Sequence, residues 1–132
     1  MNIDQISSGS SELRKLLADM NQTGGFIISV LTDRQGLPIA FAAAPGSDPE
    51  RQSAVVALVQ KTAAQASTHL GITTDEISLN AVDGQRLVCR PFEINGNTLI
   101  LAVMVAERSH SYRRLTNQTI RRIAEVWKSY WE

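Results

Sequence analysis

The chain has 132 residues, 43% of them hydrophobic, with 13 basic residues balanced by 13 acidic ones and one cysteine. That length and apolar content suit one domain with one core over residues 1–132, and a net charge of zero leaves no whole-molecule field to draw the chain onto nucleic acid or anionic lipid. Cys89 alone cannot close an internal disulfide, the N-terminus carries no basic, apolar leader, and the apolar run within residues 97–106 is far short of a bilayer span. The expectation is a cytoplasmic protein without membrane insertion.

In chain order, residues 1–9 read as a flexible N-terminus. Serines within residues 7–11 offer capping hydroxyls, and Leu13, Leu16, Leu17 and Met20 recur at the spacing of an amphipathic helix, which Gly24 and Gly25 end. Residues 26–31 form a short apolar strand. Asp33-Arg34-Gln35-Gly36 is a turn signal, and residues 37–43 return as a second strand whose Pro38 belongs at a sheet edge, because proline has no ladder donor. Asp48 before Pro49 marks a helix start, and Gly71 marks its end after Leu70.

Residues 76–82 alternate as a half-buried strand, with Ile77, Leu79 and Ala81 on one side and Ser78 and Asn80 on the other. Asp83-Gly84 turns the chain into a strand over residues 85–93, and Asn95-Gly96 turns it again into a strand over residues 98–106. That last strand is apolar on both faces, which places it in the middle of a sheet covered by helices on both sides. A final helix over residues 112–130 carries Leu115, Ile123, Val126, Trp127 and Tyr130 along its apolar stripe.

The second helix is too apolar for a surface helix, since between Gln52 and Leu70 its only formal charge is Lys61. Val55, Leu58, Val59, Thr62 and Ala66 make a stripe suited to packing on the sheet. Val56, Ala57, Gln60, Ala63, Ala64 and Ser67 cover much of the other side, and a domain of this size has no third layer to bury them. The expectation is a symmetric homodimer in which those six residues meet a second copy, together with Ile77, Ser78, Leu79 and Asn80 of a strand at the sheet edge.

The order helix, hairpin, helix, three-stranded meander, helix resembles the Roadblock family of dynein light chains over nearly the whole chain. Gly24-Gly25-Phe26, the run from Asp33 through Ala40 and the alanine-rich second helix carry the likeness best, with Asp83-Gly84, Leu87, Val88, Asn95-Gly96 and Leu99 agreeing across the meander. The resemblance implies an α+β fold of profilin-like type, ordered α-β-β-α-β-β-β-α. A five-stranded antiparallel sheet would carry the second helix on one face and the two terminal helices on the other. It also implies dimers joined through the second helix and third strand, and regulation or scaffolding of a small Ras-like GTPase.

Chemistry leaves little trace. There is no glycine-rich phosphate loop, and His69, His110 and Cys89 are too dispersed for a zinc site, so no cofactor, metal or catalytic residue is expected. Cys89 reads as a small buried hydrophobe rather than a nucleophile. Arg108, Arg113, Arg114, Arg121, Arg122 and Lys128 make the last segment locally basic, most simply as the solvated side of its helix. Of these, Arg113, Arg114, Arg121 and Arg122, with Trp131, are the candidate partner contacts. The leading expectation is a non-catalytic dimeric module, and the alternative is a small-molecule sensor on a similar scaffold.

Overall fold

Local chemistry sets the limits of the second helix. Asp48 Oδ1 accepts a hydrogen bond from the Arg51 N–H at 3.1 Å, Pro49 occupies the first turn, and Gly71 closes the other end in the left-handed conformation at φ 67°. The computed structural model describes residues 3–107 and 110–131. Over them run α1 (Ile3–Gly24), β1 (Phe26–Asp33), β2 (Pro38–Ala43), α2 (Pro49–Leu70), β3 (Ile77–Asn80), β4 (Arg86–Ile94), β5 (Asn97–Val105) and α3 (Arg113–Trp131).

The five strands form one antiparallel sheet in the order β2-β1-β5-β4-β3. β5 lies at its centre, as its two apolar faces require, and Pro38 lies on the edge strand β2. The turn between β4 and β5 uses the residues its geometry demands. Asn95 and Gly96 each take positive φ, 48° and 84°, which matches the right-handed twist of the flanking strands. At the first hairpin Asp33 Oδ1 accepts from the N–H groups of Gln35 and Leu37 at 2.9 and 3.0 Å, holding the loop closed.

Two cores sandwich the sheet. On one face Leu13, Leu17 and Met20 of α1 and Ile123 of α3 pack against Leu31, Val88, Leu99, Leu101, Val103 and Val105. On the other, Val56 and Val59 of α2 pack against Leu87, Cys89, Ile100 and Ala102. The fold is therefore α+β in the predicted order, with terminal helices on one face and α2 on the other.

Three features depart from the sequence reading. α1 is already helical at Ile3, ahead of the serines from which it was expected to start, so the stretch read as a flexible N-terminus is helix from residue 3 onward. Its early turns have something to lean on: Gly9 is buried beneath Trp131, and a Cβ on it would lie 2.4 Å from the indole Cη2. β3 is shorter than residues 76–82, and its residues are exposed or half-exposed rather than half-buried in alternation. Arg108, counted with the basic C-terminal segment, lies outside the described residues.

Candidate functional site

The largest departure concerns which side of α2 meets the sheet. Val56 is fully buried and Ala63 is 7% exposed, both against the chain's own strands, whereas Leu58, read as a sheet-packing residue, is 66% exposed and Thr62 is exposed. The inward face is drawn from both apolar stripes, Val59 from the one expected on the sheet and Val56 and Ala63 from the other, so the seam between them faces the strands. The first hairpin also approaches α2 closely, with Gly36 so near that a Cβ on it would lie 2.5 Å from Ala57 Cβ and 2.9 Å from Ala57 Cα. Small side chains let a backbone come this near, while Leu58 and Thr62 on one flank and Ala64 and Ser67 on the other stay exposed.

Of the six α2 residues assigned to a partner, Val56, Ala57 and Ala63 are thus occupied within the chain. Gln60 is half-exposed, and Ala64 and Ser67 are at least partly exposed. Thr62 bonds its hydroxyl back to the Leu58 carbonyl at 3.1 Å, which satisfies its polar end inside the helix.

α2 packs on the centre of the sheet, reaching Leu87 and Cys89 of β4, and leaves β3 uncovered beside it. A groove of 540 Å³ runs between them, with Arg51, Gln52 and Val55 on the helix side and Leu79, Leu87 and Met104 on the sheet side. Leu79, 49% exposed, lines it at the sheet edge, and Leu70 and Ile72 are exposed at the end of α2 and just beyond it. Beside the groove β3 is an edge strand. Because the Ala81 N–H bonds to the Gln85 carbonyl at 2.8 Å, the antiparallel alternation turns the backbone groups of Ser78 and Asn80 away from β4. Ile77, Ser78, Leu79 and Asn80 make up this edge strand.

Among solved structures similar to this chain is the gliding protein MglB from Thermus thermophilus, with a TM-score of 0.72 at 16% identity over 92% of each chain. An MglB in a tetrameric arrangement matches with a TM-score of 0.72 at 15% identity, again over 92% of each chain. A Roadblock/LC7 domain from Streptomyces avermitilis matches with a TM-score of 0.68 at 15% identity, over 89% of this chain and 95% of that one. This chain has the Roadblock fold. No family model matches its sequence, and no curated protein matches it significantly.

The opposite face of this Roadblock fold carries a polar cluster that sequence reasoning missed. The Glu76 carboxylate, 13% exposed, lies 3.7 Å from Arg90 Nε and 3.3 Å from Arg113 Nη2, and it accepts from the Tyr112 hydroxyl at 2.7 Å. Arg90 donates to the Thr116 hydroxyl at 2.9 Å and to Asn117 Oδ1. A signal was present: Arg86 and Arg90 share the face of β4 that Val88 uses for the core, and arginines aimed under a helix need acceptors.

The remaining candidates are placed as follows. Arg113 is 60% exposed and engaged with Glu76, while Arg114, Arg121 and Arg122 are exposed on α3. Trp131, expected to be free for a partner, instead stacks on Trp127 at 4.9 Å between centroids and packs over Gly9. An aromatic residue with a helix turn beneath it is better buried there than in water. Cys89 is buried under α2, where desolvation pushes its thiol up to about 12, so it holds no thiolate at neutral pH. Among the described residues no group of three or more His, Cys, Asp or Glu is placed to hold a metal, and no helix is long and apolar enough to cross a membrane.

Proposed function

We propose that the chain is a non-catalytic module that pairs with a second copy of itself and, as a dimer, regulates or scaffolds a small Ras-like GTPase. The exposed apolar flank of α2 beside the uncovered edge strand β3 carries this reading.

The contact we propose is built from Leu58 and Thr62, exposed on the flank of α2 that faces the groove, with Val55 and Ala66 half-buried beside them. Leu79 and the outward backbone groups of Ser78 and Asn80 complete it. A second copy related by a two-fold axis would lay its own flank into the groove and its own β3 beside this one, answering apolar surface and strand edge together. The tetrameric arrangement of one MglB supports self-association in a protein of this fold.

The GTPase half rests on the Roadblock resemblance of the sequence and on the exposed basic face of α3, where Arg114, Arg121, Arg122 and Lys128 outnumber Glu125. Such a face suits an acidic protein surface and would act through association rate and salt-sensitive affinity. The test has two parts. Sedimentation equilibrium across the micromolar range should show a monomer–dimer equilibrium abolished by Leu58→Asp, and calorimetry with the GTPase encoded beside this gene should show binding that differs between its GDP and GTP states. A wild-type monomer throughout, or no binding in either nucleotide state, would remove the corresponding half.

A volume of 540 Å³ also falls within the range of small-ligand pockets, which keeps the sensor reading in view. A sensor would use the groove in the monomer. The dimer fills it, so Leu58→Asp separates the two readings.

A further inference from the structure

Both ends of β3 are fastened to one side chain across the sheet edge. Glu76 directly precedes the strand and accepts the Tyr112 hydroxyl at 2.7 Å. Asn80 ends the strand, and its Oδ1 accepts from Arg86 Nε at 2.7 Å, while the Arg86 guanidinium carbon lies 5.9 Å from the centre of the Tyr112 ring. Tyr112 itself is fixed from below, because the buried Thr116 hydroxyl donates to its carbonyl at 2.8 Å.

Beyond these ties and the ion pairs that Glu76 makes with Arg90 and Arg113, β3 has little to hold it. It is four residues long, Ser78, Leu79 and Asn80 are exposed, and only Ile77 packs at the margin of a buried core. Its ladder to β4 fixes pairing, but a ladder alone leaves an edge strand free to twist and fray. The polar ties at its two ends are what set its pitch.

We infer that Tyr112 is a positioning residue for self-association: through Glu76 and Arg86 it holds β3 at the attitude in which its edge is presented to a second copy. The inference rests on the reading of β3 and the α2 flank as the dimer surface. It adds that the strength of that contact is governed from the other face of the sheet, by the turn that begins α3. Tyr112 touches no partner in this arrangement, so its effect on association is exerted wholly through the strand.

Tyr112→Phe is the discriminating variant, since it keeps the ring under Arg86 and removes only the hydroxyl. Losing one hydrogen bond to a charged group should raise the dimer dissociation constant by about tenfold. In hydrogen exchange the amides of Ile77 and Leu79 should open about tenfold faster, while those of β1 and β5 keep their rates. Glu76→Gln should raise the constant further than Tyr112→Phe does, because it also removes the charge that Arg90 and Arg113 face. A wild-type dimer whose constant is unmoved by Tyr112→Phe would overturn this inference and leave the dimer intact. Exchange accelerated evenly across the sheet would also overturn it, showing an ordinary structural role. A wild-type chain that stays monomeric would remove the dimer reading, and the inference with it.

Discussion

At the residue scale, two glycines and a cysteine show how local packing turns into measurable behaviour. Gly36 takes φ 87° and stands against the backbone of Ala57, so Gly36→Ala meets both conformational strain and a clash that no side-chain rotation relieves. It should cost about 3 kcal/mol in urea denaturation. Gly9→Ala meets chiefly the far end of an indole, which can swing aside. It should cost about 1 kcal/mol and change the tryptophan fluorescence as the Trp127–Trp131 stack opens. Cys89 gives a pH signature. Burial raises its thiol from the ordinary 9.0 to about 12, so the native state holds the proton more tightly. The stability this represents is complete below about pH 9 and declines as pH rises toward 12. Urea titrations of wild type against Cys89→Val should therefore differ by a constant amount up to about pH 9 and diverge above it, to the disadvantage of the wild type.

At the element scale, α2 is a helix with two apolar stripes and only one buried side. The face containing Val56, Val59 and Ala63 stabilises the monomer, Leu58 and Thr62 are exposed on the flank beside it, and Val55 and Ala66 are half-buried between the two. These roles separate by mutation. Val56→Ala should lower the unfolding free energy by roughly 2 kcal/mol through the lost methyl groups and the cavity left behind. Leu58→Ala should leave monomer stability almost unchanged, since its side chain is already in water, and should weaken self-association measured by sedimentation. The opposite pattern would mean that the stripes are arranged as the sequence alone suggested. The Asp48 cap provides a reference: Asp48→Ala removes one satisfied N–H at the helix start and should cost about 1 kcal/mol wherever the helix packs.

For the whole molecule, a net charge of zero conceals a division. The exposed face of α3 is basic, so the remainder of the chain carries the compensating acid. Dimerisation through α2 and β3 would leave both copies of α3 on the outer faces of one continuous sheet, free to meet a partner. The combined variant Arg114→Glu/Arg121→Glu should then weaken GTPase binding by more than about tenfold at low salt, and the difference should shrink as ionic strength rises. Self-association, which does not use that face, should be unaffected. Loss of both activities together would indicate that the helix had unfolded, and far-ultraviolet circular dichroism would reveal it.

What the sequence determined by itself was whatever depends on neighbours in the chain. The limits of α2 follow from Asp48, Pro49 and Gly71, the turns from Asp33, Gly36, Asn95 and Gly96, and the central place of β5 from two apolar faces. The face of α2 that turns inward was not legible, because both of its stripes are apolar and periodicity cannot choose between them. Tertiary packing turned the seam between them inward, and the close approach of Gly36 to Ala57, far apart along the chain, is part of that arrangement. The Glu76–Tyr112–Arg90 cluster was hidden for the same reason: Glu76 and Tyr112, separated by 36 positions, meet only once the sheet has formed, and no local spacing announces a contact that tertiary packing creates.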